Sequence, residues 1–327
     1  MYPCECSLNW TAMKIALITP AASRMRNGNR HTSARWAAML RALGHRVLVQ
    51  VSWDEKPADL MLALHARRSH DSIKRFALAY ADRPLIVALT GTDLYRDIRI
   101  DADAKQSMAL ATRMIVLQDM GLKELSAKLA AKTRVVYQSA AAVAPEPALK
   151  RCFEVAVIGH LREEKDPLRA AHALAFVPND SRIRVTQLGR ALDSELEKYA
   201  KRIMAEDARY HWLGEVPHWK AAQILARSRV MVISSRMEGG ANVVSEALMA
   251  GVPVIASKIS GNIGMLGEDY PGYYPVGNER ALAKLLFRAE QDRVFYRSLK
   301  IHCRERKKKI SAAREKAALK ALIDELR

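Results

Sequence analysis

The chain of 327 residues is half apolar, has 6% aromatic residues and carries a formal net charge of +18. This length suits two domains of ordinary size, and no apolar run reaches the roughly 18 residues of a membrane-spanning helix, so no transmembrane segment is predicted. The charge favours an anionic partner, but aromatic residues are few and do not alternate with basic ones, which disfavours specific nucleic-acid binding.

The N-terminal half shows the alternation of strands and helices that is typical of a doubly wound parallel sheet. Residues 1–12 have no periodicity, and we expect them to form a disordered extension; Met1 and Met13 both fit as the translation start. The predicted strands begin near Met13, Val47, Leu60, Leu85, Met114 and Arg134. The sequence therefore predicts a Rossmann-like N-terminal domain over residues 13–142.

Small residues and two prolines between Gln138 and Lys150 mark a domain boundary, with a linker at 143–152. A second Rossmann-like series covers 153–296, with strands near Val157, Val185, His211, Met231 and Val254. The basic segment 297–327 is predicted to be a helix that packs back on the N-terminal domain. We expect the two α/β domains to face each other across a cleft and to close around a ligand.

The stretch from Glu238 to Ser257 reads EGGANVVSEALMAGVPVIAS and predicts a glycine-rich loop followed by a helix from Asn242 to Ala250. Gly239 and Gly240 let a ligand approach the backbone closely. A helix N-terminus binds phosphate through its unpaired N–H groups. This pattern predicts a phosphate site.

Two carboxylates, Glu238 and Glu246, lie on either side of that predicted phosphate site. They suit hydroxyl groups at both ends of a diphosphate, which is the shape of a nucleoside diphosphate sugar. Asn242 and Val243, at the helix start, complete the predicted donor site.

A second loop, Gly159 to Lys165, follows the first strand of the C-terminal half. Negative charge develops on a diphosphate as the bond to the sugar breaks, and cations placed there stabilise the transition state. We therefore predict that Gly159, Arg162 and Lys165 bind the donor, and that Arg162 and Lys165 are catalytic.

The Asp-x-Asp sequence at Asp101 and Asp103 is a pattern that can hold a divalent metal. Here it stands at a predicted helix start, where acidic residues suit the helix dipole. We expect a structural role, with no metal and no other cofactor required.

Loops at the strand ends of the N-terminal half are cationic. They contain Arg24, Arg26, Arg30, His31, His65, Arg67, Arg68 and Arg96. Arginine forks suit a phosphate-like anion, although we expect about half of these residues to face solvent. This half is therefore predicted to hold a small anionic acceptor.

The donor stretch resembles the donor-binding motif of the family four glycosyltransferases, which have two Rossmann-like domains in the GT-B architecture and an Arg/Lys pair after the first strand of the second domain. Four strings in the first half resemble the selenosugar synthases of selenoneine biosynthesis: GNRHTSARW at 28–36, ALHARRS at 63–69, LTGTDLYRD at 89–97 and YQSA at 137–140. This resemblance implies that selenophosphate displaces UDP from UDP-N-acetylglucosamine or UDP-glucose. Phosphate is then lost and a 1-selenosugar remains.

The resemblance and the cationic loops together suggest roles in the first half. Asn29, Arg30, His65, Arg67 and Thr90 are predicted to bind the acceptor. Asp93 is predicted to be a third catalytic residue, which orients sugar hydroxyls together with Thr90. Two alternatives stay open: a conventional hexosyltransferase with a hydroxyl acceptor, and a non-enzymatic binder of polyanions.

The compartment is predicted from the cysteines and the N-terminus. Cys4, Cys6, Cys152 and Cys303 form no CxxC pair, and no apolar signal segment is evident. A cytoplasmic location with reduced thiols is therefore expected.

Overall fold

The protein is described here from a computed structural model that covers residues 12–20 and 28–326. The chain forms two compact units: unit 1 contains the chain up to Val116 together with Leu125–Val136 and Lys316–Arg327, and unit 2 contains Leu117–Glu124 and Tyr137–Glu315. The domain limits and the linker predicted from the sequence stay predictions. The predicted N-terminal extension lies, apart from Ala12, outside the described residues.

Unit 1 is built on a parallel six-stranded sheet in the order β2-β1-β3-β4-β5-β6. Its strands are β1 (Lys14–Ile18), β2 (Arg46–Gln50), β3 (Leu60–Leu64), β4 (Leu85–Leu89), β5 (Arg113–Val116) and β6 (Thr133–Val135). Its helices are α1 (Gly28–Arg41), α2 (His70–Ala79), α3 (Ile98–Ile100), α4 (Ala102–Leu110) and α5 (Ala127–Ala131), and a π-helical turn covers Asp93–Asp97.

Unit 2 has a second parallel six-stranded sheet, in the order β12-β11-β10-β7-β8-β9. Its strands are β7 (Phe153–Ile158), β8 (Ile183–Leu188), β9 (Tyr210–Trp212), β10 (Val230–Ile233), β11 (Val254–Ser257) and β12 (Tyr273–Tyr274). Its helices are α6 (Arg169–Ala173), α7 (Ser194–Glu206), α8 (His218–Arg227), α9 (Asn242–Ala250), α10 (Ser260–Leu266), α11 (Glu279–Gln291) and α12 (Arg293–Lys307). Short 3₁₀ turns occupy Asp119–Glu124, Glu163–Lys165 and Leu174–Phe176.

The central strands are apolar on both faces because helices cover both sides of each sheet. Every residue of β3, β4 and β10 is buried, and all strand pairs in both sheets are parallel. The prediction of two doubly wound parallel sheets is confirmed.

The basic tail is helical in two pieces, because a turn at Lys308–Ser311 separates α12 from α13 (Ala312–Asp324). Leu319, Leu322 and Ile323 are each 1% exposed, and residues from Lys316 onward belong to unit 1. There Glu325 pairs with Arg113 and Arg134. No helix in the described part of the chain combines the length and apolarity needed to cross a bilayer.

Candidate active site

The predicted donor loops lie at the topological switch point of unit 2. Strands β7 and β10 are neighbours, with β8 and β9 continuing the sheet on one side and β11 and β12 on the other. Open parallel sheets bind ligands in the crevice at the carboxyl ends of such a strand pair. The loop starting at Gly159 follows β7, and the loop containing Glu238 follows β10. The sheet order thus brings both predicted donor segments to one place.

Lys165 and Glu238 meet at this crevice, although 73 positions separate them in the sequence. Lys165 Nζ donates a hydrogen bond to Glu238 Oε1, which also accepts from Ser235 Oγ at 2.6 Å. The side chains are 23% and 9% exposed, respectively. The ion pair is therefore shielded enough to be stronger than a fully exposed one, while the lysine still reaches the surface.

The start of α9 has the features of an anion site. Its N-cap residue is Ala241, and within the described chain no side chain caps it and no acidic residue stands in its first turn. The backbone N–H groups and the positive dipole end are therefore not compensated by a carboxylate. Asn242 and Val243 are half-buried in this first turn.

The glycine-rich loop before α9 is held by close packing. A Cβ on Gly240 would lie 2.6 Å from the Cβ of Leu117, and a Cβ on Gly261 would lie 1.9 Å from the carbonyl oxygen of Glu238. Gly239 is buried. By contrast, a Cβ on Gly159 would meet nothing within 4 Å, so the space beside Gly159 is open to a ligand.

Glu246, the second predicted donor carboxylate, is paired with a residue that the sequence did not indicate. His218 Nε2, at the start of α8, lies 3.5 Å from Glu246 Oε1. The hydrogen bond to Glu246 raises the pKa of His218 above its ordinary value. Histidine therefore holds one of the two carboxylates, as lysine holds the other.

Arg162 is the more exposed of the two predicted catalytic cations. Its side chain is 44% exposed, and its Nε lies 3.9 Å from the carboxylate of Glu164. A guanidinium held this loosely can reorient toward a diphosphate.

In unit 1, β1 and β3 are the strands at the switch point, and His65 is the first residue after β3. Its backbone is left-handed, with φ of 73°, and the residue is 2% exposed. Nδ1 accepts a hydrogen bond from the Arg68 N–H, so Nε2 carries the proton and donates to Thr92 Oγ1 at 3.1 Å. Burial lowers the pKa of His65, and strained residues of this kind cluster at functional sites.

Two arginines share one buried carboxylate beside His65. Arg67 Nε lies 2.9 Å from Asp97 Oδ2, and Arg96 Nε lies 3.0 Å from Asp97 Oδ1. The arginine side chains are 39% and 43% exposed, whereas that of Asp97 is 4% exposed. Burial by itself would raise the pKa of Asp97, but the two arginine hydrogen bonds hold it below its ordinary value. The carboxylate therefore stays ionised and fixes both forks.

The position of Asp93 does not support its predicted contact with sugar hydroxyls. The residue is fully buried. Its carboxylate accepts hydrogen bonds from the backbone N–H groups of Thr90, Gly91 and Ala66, at 2.9, 2.8 and 3.1 Å. In this geometry Asp93 holds the turn after β4 against the segment after β3. We therefore assign it a positioning role, whereas Thr90 itself is partly exposed.

The remaining acceptor predictions lie at the start of α1. Asn29 and Arg30 are half-buried in its first turn, and this helix begins at Gly28. Arg24 and Arg26 lie outside the described residues. Because α1 follows β1, its first turn and the segment after β3 adjoin the same switch point.

The Asp-x-Asp sequence has a structural part in unit 1. Asp101 is the N-cap of α4, and its side chain accepts from the Ala104 N–H. Asp103 Oδ1 lies 3.4 Å from His70 Nε2. The described residues contain no cluster of three metal-ligating side chains; the absence of a required cofactor stays a prediction.

Comparison with known proteins identifies the family. The model of the family "Glycosyl transferases group 1" matches residues 145–315. The chain belongs to this glycosyltransferase family. The matched segment includes every donor residue predicted from the sequence. No curated protein sequence matches the chain.

Solved structures show the same fold. The Anabaena protein HepE in complex with UDP-glucose has a TM-score of 0.74 at 16% identity, covering 96% of this chain and 100% of that chain. A sucrose-phosphate synthase from Thermosynechococcus elongatus has a TM-score of 0.76 at 15% identity, covering 96% and 98%. The lipopolysaccharide outer core galactosyltransferase WaaB has a TM-score of 0.69 at 15% identity, covering 96% and 99%. The predicted GT-B architecture is confirmed for this glycosyltransferase.

Proposed function

We propose that this glycosyltransferase transfers a sugar from a UDP-sugar to selenophosphate. Selenium attacks the anomeric carbon, the bond from that carbon to the diphosphate oxygen breaks, and UDP leaves with the electron pair. Water then cleaves the phosphorus–selenium bond, which releases phosphate and leaves a 1-selenosugar. The donor is UDP-N-acetylglucosamine or UDP-glucose.

The donor half of the proposal is supported by the switch-point crevice of unit 2. The uncapped start of α9 suits the diphosphate, because helix N-termini bind phosphate through backbone N–H groups. Lys165 and Arg162 supply the positive charge that the departing UDP needs. Glu238 and Glu246 offer carboxylate oxygens for sugar and ribose hydroxyls. The UDP-glucose bound by HepE supports the same donor class here.

The proposed acceptor, selenophosphate, is supported by one observation: Arg67 and Arg96 are both bound to the carboxylate of Asp97. Each arginine donates a hydrogen bond from Nε to that carboxylate. Within the described residues, the terminal nitrogens of Arg67 and Arg96 form no hydrogen bond. Two prealigned forks suit a tetrahedral oxyanion far better than a neutral hydroxyl. A selenophosphate anion is already a strong nucleophile, so it needs a cationic site rather than a general base. The resemblance of the four first-half strings to selenosugar synthases supports the same acceptor.

The test is UDP release measured with a panel of acceptors and donors. We expect rapid release from UDP-N-acetylglucosamine or UDP-glucose when selenophosphate is supplied, slower release with thiophosphate and background release with phosphate. Mass spectrometry should find a 1-selenosugar. The double variant R67K/R96K keeps both charges but removes the forks, and we expect about a tenfold rise in KM for selenophosphate.

Two outcomes would contradict this function. UDP release that is indifferent to selenophosphate but stimulated by an alcohol would favour a conventional hexosyltransferase. The absence of UDP-sugar binding together with strongly salt-dependent binding of DNA would favour a polyanion-binding protein.

A further inference from the structure

A broad groove lies at the amino end of the sheet in unit 2. It has a volume of about 740 Å³, and its lining includes Phe153 and Tyr296, whose rings meet edge to face. Most of the other lining residues are cationic. We call the site the basic groove; its cations are Lys150, Arg182, Arg229, Arg293, Arg297, Lys300 and Arg304.

The strand topology places the basic groove away from the switch-point crevice of unit 2, where we propose that the donor binds. Phe153 is the first residue of β7, and Arg182 and Arg229 directly precede β8 and β10. The donor loops follow the carboxyl ends of β7 and β10 instead. Since parallel strands place these ends at opposite edges of the sheet, the basic groove is a separate site.

One of the seven cations of the groove has a carboxylate partner in the groove lining, because Arg182 Nε lies 3.7 Å from Glu290 Oε1. The one lining carboxylate belongs to Glu290, whose side chain is only 1% exposed and accepts from Ser181 Oγ and the Arg182 N–H. Among the described residues, Arg293, Arg297, Lys300 and Arg304 form no ion pair. The groove therefore presents four unpaired cations on one helix, together with Lys150, Arg229 and the paired Arg182.

Those four cations form a single stripe along α12. They are spaced by four, three and four residues, which places them on one face, while Phe295, Leu299 and Cys303 are buried on another. Like charges at this spacing repel each other. Helix α7 of the same unit shows the ordinary arrangement, because Lys198 pairs with Glu195 and Lys201 with Glu197.

We propose that the basic groove binds a small anion with two or more linked phosphates, of the polyphosphate or nucleoside polyphosphate class. Its volume falls in the range of small-molecule sites, roughly 300–1,000 Å³. Arginine forks and lysine ammonium groups are the side chains that bind phosphate. Bound phosphates would remove the repulsion along α12. The proposal is independent of the acceptor assigned above.

The test uses the full-length protein with tripolyphosphate, ATP and inorganic phosphate as probes, by calorimetry at about 0.15 M salt. We expect one tripolyphosphate per chain and binding at least about tenfold weaker for phosphate. Binding by ATP that is tighter than by tripolyphosphate would identify a nucleotide; equal binding would identify the phosphate chain as sufficient.

The alkylation rate of Cys152, a half-buried thiol that lines the groove, tests whether the anion binds in the basic groove. We expect bound tripolyphosphate to slow the alkylation of Cys152, and peptide mass spectrometry measures the rate. The double variant R297A/K300A should weaken tripolyphosphate binding by about tenfold or more. The matched variant K198A/K201A removes the same charge from α7 and should bind as the native protein does.

Three results would overturn the proposal. They are no measurable binding of tripolyphosphate, an equal loss of affinity in both double variants, and alkylation of Cys152 at the same rate with and without tripolyphosphate. Tighter binding of a 20-base-pair DNA duplex, with no measurable affinity for tripolyphosphate, would assign the groove to nucleic acid instead.

Discussion

At the scale of single residues, each of the two carboxylates of the proposed donor site has a basic partner. Glu238 is held by Lys165 and Ser235, and Glu246 by His218. Such pairing fixes the position of each carboxylate before a ligand arrives. Pre-organisation of this kind lowers the cost of binding a polar ligand.

Replacement of Lys165 tests the role of this pair. K165A removes the cation from the developing UDP charge and leaves Glu238 without its main partner. We expect kcat/KM for the UDP-sugar to fall by about 100-fold or more. The control is K198A, which breaks an exposed pair with Glu195 and should leave kinetics unchanged. A K165A enzyme with native kinetics would exclude Lys165 from the site.

The pKa of His218 reports on Glu246. Because Glu246 raises that pKa above 6.5, E246Q should return it toward its ordinary value in an NMR titration. The pair of His218 and Glu246 therefore stabilises the folded state below about pH 6.5, and this contribution is lost as the pH rises through the folded-state pKa of His218. A His218 pKa unchanged by E246Q would show that the two groups do not interact in solution.

At the scale of elements, the loops around the donor crevice contain two glycines with opposite surroundings. Gly240 packs against Leu117, whereas the space beside Gly159 is open. One glycine is required by packing, and the other leaves room for a ligand.

Alanine substitutions should separate these two roles. G240A forces a Cβ into Leu117, so we expect a loss of about 1–3 kcal/mol in the free energy of unfolding, measured by denaturant titration. G159A should keep native stability but weaken UDP binding measured by calorimetry, because the added methyl group obstructs the approach to the backbone. Native UDP affinity in G159A would place the diphosphate elsewhere.

At the scale of the whole molecule, unit 1 contains segments that are far apart in the sequence. Residues 316–327 belong to unit 1, Lys316 Nζ bonds to the Ala42 carbonyl oxygen, and three apolar side chains of α13 are buried. The C-terminal segment is thus part of the fold of unit 1.

Deletion of residues 316–327 should destabilise unit 1 selectively. Burial of one Leu or Ile side chain is worth about 1.5–3 kcal/mol, so we expect faster hydrogen exchange in β5 and β6 while β7 and β8 keep their protection. E325Q, which removes only the partly exposed pairs with Arg113 and Arg134, should change stability by less than about 1 kcal/mol. Uniform loss of protection in both units would contradict this assignment.

The sequence by itself determined the elements and the local chemistry of the donor loops. Apolar runs of four to six residues, glycines after strands and a helical pattern from Asn242 to Ala250 predicted β7, β10 and α9 close to their observed bounds. These features are visible because strand periodicity, helix start signals and glycine-rich loops depend on neighbours along the chain. The spacing of Glu238 and Glu246 was likewise a local signal.

Only the tertiary structure decided which side chains meet. Lys165 and Glu238 are 73 positions apart, Arg67 and Asp97 are 30 apart, and Gly240 faces Leu117 across more than a hundred positions. Those contacts depend on strand order in the two sheets, which local periodicity does not encode. For the same reason, the sequence predicted that Asp93 contacts a ligand. In the structure its carboxylate accepts hydrogen bonds from three backbone N–H groups. The partly exposed groups at this place are instead the two arginines bound to Asp97.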